Sequence, residues 1–88
     1  MRPENKRMKA FLKANGVAAQ PKWLRAGSLK QTWRLENSGT PWTLDLAAKL
    51  NSLGFTDYDG RPLGQFSGNG GYFSVFVRGH EELLTATP

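Results

Sequence analysis

Residues 54–79, GFTDYDGRPLGQFSGNGGYFSVFVRG, decide how this chain folds, because they hold both hairpin signals and the clearest β run. From Tyr72 to Arg78, Phe73, Val75 and Val77 alternate with Tyr72, Ser74, Phe76 and Arg78. Successive strand residues point to opposite sides of a sheet, so the first set predicts a core face and the second an aromatic and cationic outer face. Asp59-Gly60 and Asn69-Gly70-Gly71 supply residues that tolerate the positive φ of tight hairpin turns. Residues 55–58, 63–66 and 72–78 therefore read as a meander, with Pro62 forcing the middle strand to begin after it or at a bulge.

Outward from that sheet, residues 28–36 alternate Leu29, Gln31, Trp33 and Leu35 against Lys30, Thr32, Arg34 and Glu36. That is the pattern of a half-buried strand with a basic outer side, and Asn37-Ser38-Gly39 reads as its end. If this strand lies beside residues 72–78, then Lys30, Arg34, Tyr72, Phe76 and Arg78 share one surface. Residues 4–14 predict a short helix with Met8, Phe11 and Leu12 on its apolar stripe and Lys6, Lys9 and Lys13 on the opposite face. Gly16 suits the left-handed position that ends such a helix. Residues 17–27 read as an irregular connection, in which Pro21 blocks a helix and Trp23-Leu24 plugs the core. A second helix starts at Thr40-Pro41 or at Thr43 and runs to about Leu53, with Trp42, Leu46, Ala47, Leu50 and Leu53 on its apolar face. Gly54-Phe55 closes it as Gly16-Val17 closes the first, and one turn of helix follows at residues 81–84.

The order α-β-α-β-β-β predicts an α+β fold: a small, mainly antiparallel sheet of three to four strands with two helices packed on one face. Eighty-eight residues are expected to form one domain, with flexible ends at about 1–4 and 85–88. The net charge of +5 is unevenly distributed: residues 1–34 hold nine Lys or Arg and one acid, and residues 35–88 hold three and six, giving +8 and −3. Such polarity attracts phosphate backbones or acidic protein surfaces. The chain has no cysteine, which excludes disulfides and thiolate metal sites, and no apolar run long enough to span a membrane. A cytoplasmic location is the expectation.

Motifs for chemistry are incomplete. Asp57-x-Asp59-Gly60 opens like a calcium loop, but the closing Glu position is held by Gly68, so these aspartates read as turn residues and no metal is expected. Residues 67–71, SGNGG, lack the Lys and Ser or Thr of a phosphate loop and precede a strand. His80 is the single histidine; the alternative to no enzyme at all is a metal-independent ribonuclease that uses it. No cofactor is implied.

Residues 70–77, GGYFSVFV, resemble the ribonucleoprotein strand motif of RNA recognition modules, but depart from it at Gly70, Phe73 and Ser74, so its sites do not carry over. KAFLKANG (9–16), GSLKQTWRL (27–35), LGFTDYDGRPL (53–63) and FSGNGGYFSVFVRGHEEL (66–83) resemble small proteins of bacteriophages and mobile elements. That resemblance implies a protein-binding accessory or inhibitor of a host machine, such as a defence system. The residues themselves favour a nucleic-acid-binding module, RNA or DNA, using Lys6, Lys9, Lys13, Lys30, Arg34, Tyr72, Phe76 and Arg78. The alternative partner is an acidic host protein surface.

Overall fold

The alternation at the C-terminal end of the chain is realised as strand β4 (Tyr72–Arg78), in which Phe73, Val75 and Val77 are buried. The computed structural model describes residues 1–68 and 71–85. Helix α1 (Pro3–Ala14) leads, followed by β1 (Gln20–Leu24), β2 (Thr32–Pro41), α2 (Leu44–Ser52), β3 (Thr56–Asp57) and β4, with a 3₁₀ turn at Glu81–Leu84. The four strands form one antiparallel sheet in the order β1-β2-β4-β3. Met8 and Leu12 of α1 and Ala47 and Leu50 of α2 join Trp33, Leu35, Phe73, Val75 and Val77 in a single core. Both helices thus cover one face of an α+β fold, as the pattern predicts.

Within that class, two segments differ from their expected roles. Residues 20–24 form an edge strand despite Pro21. The backbone N–H of Trp23 points away from β2 and donates to Asn5 Oδ1 of α1 at 2.9 Å. Pro21 lies two residues earlier, so its nitrogen faces the same open edge and no ladder bond is lost. Residues 63–66, expected as the middle strand, form a loop instead, and β3 pairs directly with β4. The side chain of Asn51 donates to Leu63 O at 2.9 Å and accepts from Leu63 N at 2.8 Å, as a neighbouring strand would. Trp42 Nε1 then donates to Gly64 O at 2.8 Å, so the loop is fastened to α2 and its approach.

Strand β2 also begins and ends later than its alternation suggests. Residues 28–31 belong to the β1–β2 connection, where Gln31 has φ 65° and its N–H donates to Leu24 O at 2.7 Å. At Asn37 the strand bulges instead of ending: pairing passes from Asn37 opposite Phe73 to Pro41 opposite Tyr72. Helix α2 starts at the later of the two predicted caps, with Thr43 Oγ1 accepting from Leu46 N at 3.1 Å. Both helices end alike: Gly16 (φ 81°) and Gly54 (φ 96°) let Val17 N–H and Phe55 N–H return to Leu12 O and Leu50 O.

Of the N-terminal residues 1–4, expected as a flexible end, Pro3 and Glu4 begin α1 and Glu4 is buried. Asn69 and Gly70 of the second turn signal, and residues 86–88 of the C-terminal end, lie outside the described residues. Among the described residues, no helix is long and apolar enough to cross a membrane.

Candidate functional site

The second face of the sheet is open among the described residues except at Thr32, which is buried on it with its hydroxyl donating to Leu29 O at 2.6 Å. Among the described residues no helix lies on it: the turn Glu81–Leu84 packs against α1 on the core side, where Arg7 donates to Leu83 O at 2.6 Å and Leu84 O at 2.9 Å. Register then arranges the outer side chains in rows. Lys22 of β1 stands opposite Arg34 of β2, which stands opposite Phe76 of β4. The next row is Gln20, Glu36 and Ser74, and Tyr72 begins β4 beyond it. Lys22 and Tyr72 are exposed, and Arg34 and Phe76 are half-buried.

Arg34 is held on this face by Glu36, with Nη2 to Oε1 at 3.4 Å, and its buried Nε has no hydrogen-bond partner among the described residues. Arg78 shares the face but sits at the far end of β4, six residues or roughly 20 Å from Tyr72. Lys30 does not join them. It lies in the β1–β2 connection and not on the expected strand face, because Gln31 turns the chain before β2 begins. Lys22 belongs to the face yet escapes a reading that treats Pro21 as a breaker. The signal was present, since Gln20, Lys22 and Leu24 alternate with Pro21 and Trp23.

Lys6, Lys9 and Lys13 are exposed on α1, opposite Met8 and Leu12. The stripe is not neutralised by the one acid of the N-terminal segment. Glu4 is 5% exposed and paired with Arg25 at 2.5 Å. Its own backbone amide in the first helical turn, and then Arg25, hold its carboxyl below the usual glutamate range against the opposing effect of burial. Lys9 and Lys13 line a groove of about 550 Å³ whose other wall includes Gln20, Glu36 and Ser38. Lys6 does not reach it. A second hollow, bounded by Glu36, Ser38, Tyr72 and Ser74, continues from the first.

His80 and the turn aspartates are committed elsewhere. His80 Nε2 meets Leu53 O at 2.5 Å and Nδ1 faces Glu82 at 3.2 Å, with the ring packed on Phe11 and Phe55. Asp57 and Asp59 accept from the backbone N–H groups of Tyr58 and Arg61 within their own turn. No group of three or more potential metal ligands occurs among the described residues.

The fold and its open face define the class: an α+β domain with helices on one side of a four-stranded antiparallel sheet and a basic, aromatic surface on the other. No family model, curated protein or solved structure matches the chain.

Proposed function

We propose that this protein is a small basic module that binds nucleic acid through its open sheet face. The row Lys22, Arg34 and Phe76, aligned by register on a face that no helix covers, carries this reading. Two cations beside an aromatic side chain offer phosphate neutralisation and base stacking within one short span. The withdrawal of Glu4 into a buried ion pair supports it, because the surrounding surface keeps its positive character. The test is equilibrium binding of random-sequence RNA and DNA oligonucleotides at several salt concentrations. Log K is expected to fall linearly with log salt, and Arg34→Ala to lower the slope by about 0.7 to 0.9. Phe76→Ala is expected to cost about 1 to 3 kcal/mol of affinity with little change in slope.

A second reading, docking on a protein as an accessory or inhibitor, is favoured by Phe66, which is 91% exposed in the loop that Asn51 and Trp42 fasten. A large apolar side chain held out on an anchored loop suits a pocket on a partner. Absence of nucleic-acid binding even at low salt favours this second reading.

A further inference from the structure

We infer that the ligand is a single strand that crosses the sheet at one end, its phosphates on Lys9 and Lys13 and an unpaired base on Tyr72. This rests on the nucleic-acid reading and narrows it to a path and a strandedness.

The path is continuous. The groove beside Lys9 and Lys13 shares Glu36 and Ser38 with the hollow beside Tyr72, which shares Ser38 and Tyr72 with a third hollow of about 230 Å³. All three lie where β1 and β4 begin and β2 bulges. The bulge itself forms a rim: between the pairs Asn37–Phe73 and Pro41–Tyr72, residues Ser38, Gly39 and Thr40 have no partner on β4. Asn37 fixes that rim, donating to Ala18 O at 3.0 Å and accepting from Gly39 N at 3.1 Å. The concavity is therefore built into the backbone and does not depend on the ligand to form.

Its charge suits a phosphate at one end and not throughout. Lys9 and Lys13 stand one helical turn apart and make no ion pair among the described residues, whereas Glu36 is tied to Arg34. At the other end Tyr72 is 62% exposed. Tyr72 bounds a hollow, where a base can reach its ring only if that base is out of a duplex stack. Proteins that read duplexes push a convex helix or ribbon into a groove, and this surface is the reverse. From β1 to β4 the crossing is two strand spacings, about 10 Å, so the path engages only a few nucleotides.

The test uses the full chain and fluorescein-labelled probes of about ten nucleotides: oligo-dT, oligo-U and a duplex of the same length. At about 150 mM salt the Debye length is about 8 Å, so local contacts dominate the comparison. Single strands are expected to bind at least about tenfold tighter than the duplex. Tyr72→Ala should weaken single-strand binding about five- to 150-fold, and Tyr72→Phe, which keeps the ring, about twofold or less. Lys9→Glu with Lys13→Glu should lower the salt slope by about 1.4, while Arg61→Glu, in the turn after β3 and outside the groove, should leave it nearly unchanged. A 5-iodouracil probe should photocrosslink to Tyr72 in the unmodified protein, a readout independent of whether a variant folds. Duplex binding as tight as single-strand binding, an equal effect of Arg61→Glu, or a crosslink elsewhere overturns the single-strand path while leaving the nucleic-acid reading in force. No binding of any probe even at about 20 mM salt overturns both.

Discussion

The imidazole of His80 lies between Phe11 and Phe55, with ring centroids 4.5 and 4.7 Å away, and reaches the last turn of α2 through Leu53 O. A residue type suited to proton transfer is here a clamp that ties the end of β4 to both helices. His80→Ala leaves Leu53 O without that partner and is expected to cost about 1 to 3 kcal/mol in urea unfolding, with oligonucleotide affinity unchanged. Leu50 is fully buried beneath α2, so Leu50→Ala should cost about 2 to 5 kcal/mol; unchanged thermal stability would contradict its position. The burial of Leu50 was legible in the sequence because it recurs at helical spacing with Leu46 and Ala47. The commitment of His80 was not, since Phe11, Leu53 and Phe55, which hold its ring, are 25 or more residues distant.

One asparagine of each helix satisfies backbone groups outside that helix. Asn5 of α1 serves the outer edge of β1, and Asn51 of α2 serves Leu63 in place of a strand. Asn51→Ala removes both bonds to Leu63 and should cost about 1 to 3 kcal/mol, read by denaturation, while making the loop at residues 58–68 more sensitive to limited proteolysis. The start of α1 carries a pH dependence. The folded-state pKa of Glu4 is depressed, so its contribution to stability is present above the unfolded glutamate value and is lost as pH falls through the folded one. Below about pH 4.3, Glu4→Gln should therefore lose less stability on further acidification than the unmodified protein, and an identical acid profile would argue against the Glu4–Arg25 pair.

Across the molecule, the charge asymmetry of the chain is kept only in part, because the fold brings its two ends together. The basic segment, residues 1–34, supplies α1, β1 and the first three residues of β2, and the acidic remainder supplies the rest of β2, α2, β3, β4 and the final turn, which packs back against α1. Local pattern was enough to determine the α+β class, the inward and outward sets of β4, and both glycine-ended helices, because these depend on side-chain period and on backbone preferences within a few residues. Tertiary structure alone decided that Pro21 sits on an open edge, that Leu63 pairs with a side chain, and that Lys30 leaves the sheet face. It also decided that Lys9 and Lys13 meet the same groove system as Tyr72, about 60 residues away in sequence. Those outcomes turn on which distant group satisfies a given backbone N–H or C=O, and no local period records that choice.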